Sequence, residues 1–291
     1  MYEPIDLTEA RKLLDVEGAD FYELMARAGR VREYYKGNIV KFCSITNAKS
    51  GKCPEDCGFC AQSSRYKNAD SPKYSLQSAD TIMNAAKSAE EFGASEFSIV
   101  TSGRTMNSGP ELDAVKQAIS NINEKTNLYT CVSLGLLGKK ELEELKQAGL
   151  SRVHHNLETS RSFFSNVVTT HSYDDEINTI KLAKDMGFYV CSGGIFGMGE
   201  DKDQRIELMK DLRELAVDSV PVNFLNPRPG TPMEEKNELS PHDCLKILAV
   251  LRLMIPQVDM FVCGGREVNL RDMQSWIFMA GGLRSGLKNY C

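Results

Sequence analysis

Three cysteines fall within eight residues, Cys53, Cys57 and Cys60 in the stretch Ser50–Cys60, SGKCPEDCGFC. Thiolates held so close repel one another, and a soft metal centre relieves that repulsion. A 4Fe–4S cubane has four irons and ordinarily takes four cysteines, so three local thiols leave one iron open. That vacancy can bind the amino and carboxylate groups of S-adenosylmethionine (SAM). The spacing alone leaves other chemistry open. A structural zinc site wants a fourth Cys or His at short spacing, and none follows Cys60 nearby. A catalytic zinc could use three ligands, but such sites favour His, and His154 and His155 lie far along the chain. A thioredoxin-like redox pair needs only CxxC.

The elements that must carry this loop read as strands alternating with helices. Apolar, β-branched runs recur at Asn38–Ser44, Glu96–Thr101, Leu128–Leu134, Arg152–Leu157, Phe188–Ser192, Ser219–Leu225 and Asp259–Val262. Between them lie stretches of helical period, including Ala79–Phe92, Glu111–Ile122, Lys139–Ala148, Tyr173–Met186, Lys202–Leu215, Pro241–Met254 and Leu270–Ala280. Glycine stops follow three of these helices, at Gly93, Gly149 and Gly187. Such alternation specifies a parallel sheet, and about seven units approach the eight of a closed (β/α)₈ TIM barrel. The expected organisation is one α/β domain, with residues 1–35 as an N-terminal helical cap and 36–291 as the barrel. In such a barrel chemistry belongs at the C-terminal ends of strands. The cysteine loop, Cys131, Asn156, Cys191, Asn223 and Cys263 all fall there.

The composition narrows the setting. Of 291 residues, 42% are hydrophobic and 26% charged, as in an ordinary globular protein. No apolar run approaches the ~20 residues of a membrane helix, and the acidic N-terminus does not read as a signal peptide. These features lead to the expectation of a cytoplasmic protein without a membrane partner. A net charge of −5 and no concentrated basic face argue against nucleic acid. Nine cysteines in a chain with no signal point to metal or redox chemistry rather than a disulfide scaffold.

Longer motifs are more specific. CPEDCGFCAQSSRY (Cys53–Tyr66) resembles the cluster loop of biotin synthases, a family of the radical SAM superfamily. HHNLETS (His154–Ser160), VCSGGIFGMGE (Val190–Glu200), SVPVNFLNPRPGTP (Ser219–Pro232) and GGREVN (Gly264–Asn269) match the same family in order, so the resemblance covers nearly the whole chain. It implies a radical SAM TIM barrel. It also implies that a reduced 4Fe–4S cluster on Cys53, Cys57 and Cys60 cleaves SAM to methionine and a 5′-deoxyadenosyl radical. That radical takes hydrogens from two saturated carbons of dethiobiotin, and a second iron–sulfur cluster supplies the sulfur. On the same basis Phe59 packs near the adenine, and Gly193 and Gly194 let the backbone approach SAM. Asn156 reaches both the ureido group and the SAM ribose, Glu158 takes the ribose hydroxyls where Asp is familiar, and Asn223 bonds the ureido ring. A flavodoxin or ferredoxin as electron donor, and a homodimer, are implied as well.

The sequence also departs from the family. The auxiliary 2Fe–2S cluster usually has three cysteines and an arginine. Cys131, Cys191 and Arg266 match three of these positions, but Ser98 stands at the fourth, and a hydroxyl is a poor iron ligand beside a thiolate. Cys263, three residues before Arg266, is a compensating thiol. Cys131, Cys191 and Cys263 as ligands, with one open iron, suit a sulfide-carrying cubane better than a rhomb. Cys43, Cys244 and Cys291 have no such support, and His171 and His242 read as surface or capping residues. Gly281–Cys291 departs from the family's usual eighth strand, leaving the closing strand unassigned. A methylornithine-synthase-like mutase or a hydrogenase maturase shares the loop and barrel but generally lacks Cys131 and Cys191. A non-catalytic iron–sulfur or zinc-binding barrel is the reading from another class.

Overall fold

A computed structural model describes residues 1–37 and 40–286. Two helices come first, α1 (Leu7–Leu13), capped by the Asp6 carboxylate, and α2 (Gly18–Lys36). Strands and helices then alternate as β1 (Lys41–Lys49), α3 (Ala79–Glu91), β2 (Glu96–Thr101), α4 (Pro110–Lys125), β3 (Tyr129–Ser133), α5 (Lys139–Gln147) and β4 (Arg152–His154). The second half continues with α6 (Tyr173–Asp185), β5 (Tyr189–Cys191), β6 (Gly194–Phe196), α7 (Lys202–Glu214), β7 (Ser219–Phe224), α8 (Pro241–Met254), β8 (Asp259–Val262), α9 (Arg266–Leu270) and β9 (Arg284–Gly286).

Local chemistry sets these boundaries. Capping boxes at Ser172, Asp201 and Ser240 start α6, α7 and α8 by satisfying orphan backbone N–H groups from both sides. Gly93, Gly149 and Gly187 stop three helices with φ of +83°, +90° and +77°, a region open to glycine at little cost. Most of the expected strands and helices form where the periodicity puts them. The expected helix Leu270–Ala280 does not. In its place the five-residue α9 is followed by a 3₁₀ segment, Arg271–Phe278.

All pairings among the nine described strands are parallel, in the order β5-β4-β3-β2-β1-β9-β8-β7-β6, and β5 also pairs with β7. Because β5 and β6 are two pieces of one strand position, that contact closes an eight-position barrel. The closing strand, unassigned by sequence, is β9. It pairs with β1 through Lys41–Cys43 and with β8 through Phe261 and Val262. Residues 38 and 39 of the first expected strand, and 287–291 with Cys291, lie outside the described residues. Behind the seam Arg252 of α8, fully buried, donates to the carbonyls of Gly281 (3.0 Å), Pro256 (2.9 Å) and Val258 (2.8 Å). Burial lowers its pKa to about 10. α2 packs on α8, and no described helix is long and apolar enough to cross a membrane.

β1 runs on to Lys49, five residues past its expected end at Ser44, and the fourth and fifth strand positions are shorter than expected for one shared reason. β4 ends at His154, yet its ladder continues irregularly, with His155 N–H donating to Cys191 O (3.0 Å), Leu157 N–H to Gly193 O (2.9 Å) and Ile195 N–H to Glu158 O (2.7 Å). Glu158 turns the chain away with φ of +61°. Gly193 passes so close to β7 that a Cβ there would lie 2.0 Å from Pro221 O. A Cβ on Gly194 would lie 2.7 Å from Glu158 O. The glycine pair thus lets the fifth strand position squeeze between its neighbours, and it splits that position into β5 and β6.

Candidate active site

The loop after β1 folds on itself through short-range bonds. Cys53 N–H donates to Gln62 O (3.1 Å), Ser64 N–H to Cys53 O (2.8 Å) and Cys60 N–H to Cys57 O (2.9 Å). Its outer side is tied to the segment before α6. Gly58 N–H reaches Val167 O at 2.9 Å, and the Asp56 carboxylate accepts from Thr169 N–H (2.9 Å) and Thr170 N–H (3.2 Å). Burial opposes ionisation of Asp56, but these bonds outweigh it and bring its pKa to about 2. Cys53, Cys57, Phe59 and Cys60 line a cavity of about 250 Å³ together with Asn156 and Glu158. Burial pushes the Cys57 and Cys60 thiols up, and Glu158 and Cys53 raise both further, so thiolates here lack compensating charge. A cationic metal centre would supply it, and the donor set fits one.

Glu55, inside the CPEDC stretch, anchors a buried chain of acids and imidazoles. Its carboxylate meets His171 Nδ1 at 2.5 Å, His171 Nε2 meets Glu176 at 2.8 Å, and the other oxygen of Glu176 meets His155 Nε2. His171 is therefore not the surface or capping residue expected from sequence; its side chain is 7% exposed and cross-links the cluster loop to α6. His242 is exposed at the first turn of α8, against the Phe21 ring. Burial lowers the pKa of His171, but the hydrogen bonds from Glu176 and Glu55 win and raise it to about 9. Burial likewise opposes the ionised form of Glu176, and the two histidines bring it to about 2.

The sign of the resulting pH dependence follows from linkage. His171 contributes stability that is complete below its ordinary value of 6.5 and is lost as pH rises through about 9. Glu176 contributes stability present above 4.5 and lost as pH falls through about 2. Thermal stability as a function of pH is expected to be greatest near pH 4.5, to fall above it as Glu158 ionises, and to fall more steeply above 6.5 where His171 also titrates. His171→Gln should lower the maximum and make the limb above pH 6.5 shallower. Part of that limb remains, because burial and Glu176 raise Glu158 to about 8 and its ionisation also costs stability as pH rises. An unchanged alkaline limb in the variant would remove His171 from the account.

Asn156 and Glu158 reach one cavity because the irregular ladder keeps their alternation. The Asn156 amide oxygen accepts from Gly193 N–H (3.1 Å) and meets His154 Nε2 (2.9 Å), while its Nδ2 donates to Glu158 at 3.4 Å. One of its N–H donors remains for a ligand. Gly193 and Gly194 line neither cavity; Gly193 instead orients Asn156.

A second cavity of about 550 Å³ adjoins the first, and His154 lines both. Cys131, Cys191, Cys263, Arg266, Asn223 and Ser98 all face it. Burial pushes Cys131 up to about 12 against the Ser98 hydroxyl, which pulls the other way, and raises Cys191 well above the usual thiol range. Asn223 bridges strands, donating to Gly194 O (3.3 Å) and accepting from Gly264 N–H (2.9 Å). Arg152 holds Glu96 at 2.9 Å and lies between the rings of Tyr129 and Tyr189, 4.4 and 4.1 Å from their centroids. Cys43, given no role from sequence, also lines this cavity. None of the eight described cysteines forms a disulfide. Among the described residues no three His, Cys, Asp or Glu side chains converge as a single-ion site; the thiols line cavity walls instead.

Comparison with known proteins agrees with this geometry. The model of the Radical SAM superfamily matches residues 48–212, and that of the Biotin and Thiamin Synthesis associated domain matches residues 221–283. Among solved structures, methylornithine synthase superposes with a TM-score of 0.86 at 23% identity, covering 98% of this chain and 82% of that one. The FeFe-hydrogenase maturase of Carboxydothermus hydrogenoformans gives 0.82 at 18%, covering 98% and 67%. At these identities the likeness is one of fold. The curated relatives are closer in sequence. A biotin synthase of Anaeromyxobacter dehalogenans is 50% identical over 99% of this chain and 80% of its own length. One of Geotalea uraniireducens is 46% identical over 99% and 87%. With both cavities framed by the same barrel and half the residues shared, the chain belongs to the biotin synthase family of radical SAM enzymes.

Proposed function

We propose that this chain converts dethiobiotin to biotin by radical sulfur insertion. The observation that carries the reading is the pair of adjoining cysteine-lined cavities, separated at His154. When bound and reduced, a 4Fe–4S cluster at Cys53, Cys57 and Cys60 supplies the electron that cleaves SAM to methionine and a 5′-deoxyadenosyl radical. The chain's own residues bind and orient the reactants. Phe59 gives an apolar face to the adenine. Glu158 and the spare N–H of Asn156 take the ribose hydroxyls, and Asn156 and Asn223, as amides that both donate and accept, suit the neutral ureido ring. Gly193 holds Asn156 in place through its N–H.

Cys131, Cys191 and Cys263 ligate the auxiliary cluster, with Arg266 beside them, and Ser98 no longer does so. Thiolates favour iron over a hydroxyl, and three of them leave one position for an exchangeable sulfide, as a sulfide-carrying 4Fe–4S cluster requires; a 2Fe–2S rhomb is the alternative. A mutase or maturase reading is less well supported, because thiols crowd the second cavity rather than leaving it to substrate alone. An acidic flavodoxin or ferredoxin in the cytoplasm would deliver the electron to a homodimer.

The test is anaerobic incubation of the reconstituted protein with dethiobiotin, SAM and dithionite, followed by mass spectrometry. Biotin together with 5′-deoxyadenosine is expected. Deoxyadenosine without biotin would remove the substrate assignment and keep the radical class.

A further inference from the structure

Four cysteines face the second cavity, and the barrel register decides how they relate. Cys43 on β1 pairs with Glu96, which pairs with Tyr129, and two residues further along β3 is Cys131. Cys131 pairs with Arg152, which pairs with Tyr189, and two residues further is Cys191. Cys191 pairs with Ser219, which pairs with Asp259, and two residues further is Phe261. Phe261 pairs with Arg284, which pairs with Lys41, and two residues further the circuit returns to Cys43. An advance of two residues for every two strands crossed is what a TIM barrel of shear about eight requires of one interior layer, built by four side chains from alternate strands. Cys43, Cys131 and Cys191 are therefore three of the four members of a single layer. Cys263 stands two residues past Phe261, the fourth member, on the same inward side. Ser98 belongs to the neighbouring layer, since it pairs directly with Cys131.

We propose that Cys43 is a protein ligand of the auxiliary cluster, joining Cys131, Cys191 and Cys263 in a four-thiol set around the barrel axis. The proposal rests on the reading of this cavity as an auxiliary iron–sulfur site and extends it to a residue outside the family's usual ligand positions. Four cysteines are the ordinary complement of a cubane, so Cys43 would fill the iron that Cys131, Cys191 and Cys263 leave open until an exchangeable sulfide takes that position. The side chain has the surroundings of a ligand rather than of packing. Cys43 keeps some exposure, and that exposure is to the cavity, whereas Cys244 in α8 is 0% exposed and packed on all sides. Cys43 shares that cavity wall with Cys131, Cys191 and Cys263. A thiolate at Cys43 is costly without a metal and favoured with one.

The experiment uses anaerobically reconstituted, ⁵⁷Fe-enriched protein, comparing wild type with Cys43→Ser, Cys43→Ala and Cys131→Ser. Iron and acid-labile sulfide, Mössbauer spectra and the rate of iron loss to a chelator are the readouts, and SAM-dependent perturbation of the first cluster's EPR signal reports an intact fold. Cys43→Ser should change the Mössbauer parameters of one auxiliary iron and speed loss of auxiliary iron about tenfold or more, the order of affinity change that supporting ligands command. Cys43→Ala should lose that iron outright. In the unaltered chain, alkylation of Cys43 should slow at least about tenfold once the auxiliary cluster is in place, because the ligated thiolate is withdrawn from reaction. This readout needs no variant. Cys43 variants with wild-type iron, spectrum and chelator resistance would overturn the proposal, while loss of the second cluster in Cys131→Ser would leave the auxiliary site standing. A wild-type protein that holds one cluster only would overturn both.

Discussion

Cys57→Ala abolishes 5′-deoxyadenosine formation from SAM and dithionite, a fall of about a thousandfold or more, equivalent to at least ~4 kcal/mol of barrier. The expectation follows from how the loop is built. Cys57 is held at one corner of a turn by the bond from Cys60 N–H to its carbonyl. Burial and the Glu158 carboxylate push its thiol up, so the chain offers nothing that tolerates a thiolate there except a metal centre. With one thiol gone the cluster keeps two protein ligands, and no other described cysteine lines that cavity besides Cys53 and Cys60. Iron should fall by one cluster's worth with the visible charge-transfer absorbance. The fold should persist, because the loop's ties to Val167, Thr169 and Thr170 do not use the thiol. Full deoxyadenosine formation by this variant would place the SAM-cleaving centre elsewhere.

Cys131→Ser should separate the two halves of the reaction. Biotin formation falls at least about a hundredfold, close to 3 kcal/mol, while deoxyadenosine formation continues. Cys131 lines the second cavity and not the first. The substitution is near-isosteric, so its folding cost stays around 1 kcal/mol, the usual size for a single buried change. It also places two hydroxyls, at 98 and 131, on paired residues of β2 and β3 where the wild type has one hydroxyl and one thiol. The measurement is the ratio of biotin to deoxyadenosine in the same reaction. A ratio unchanged from wild type would end the sulfur-donor role of this cavity.

What could be read in the sequence depends on how local the information is. The cysteine loop and the glycine stops act over a few residues, and they were legible. The division of one strand position into β5 and β6 was not, because it follows from the carbonyl of Pro221 on another strand, and nothing near Gly193 announces it. His171 looked like a surface residue because its partner Glu55 is 116 positions away. Cys43 had no motif to support a role, and a lone cysteine on an apolar strand is usually packing. Its membership in a layer with Cys131 and Cys191 exists only once the barrel has closed with a definite shear. The candidate ligands drawn from the family motif, and Cys263 three residues before Arg266, were visible in the sequence; Cys43 required the register.

The closing strand β9 has a consequence of its own. Among the described residues it makes three pairs with β1 and two with β8, whereas β1 and β2 share a register of six pairs. Stability is distributed unevenly in such a ring, and a short ladder opens at lower cost than a long one. Backbone amides of β9 should therefore exchange with solvent deuterium before those of β2 and β3, with Arg252 limiting the opening to the strand itself by holding the Gly281 carbonyl behind it. Gly286 pairs with Cys43, so the same opening brings solvent first to one edge of the thiol layer. Opening of this seam would thus be a side entrance to the second cavity, separate from the end of the barrel that carries the cluster loop.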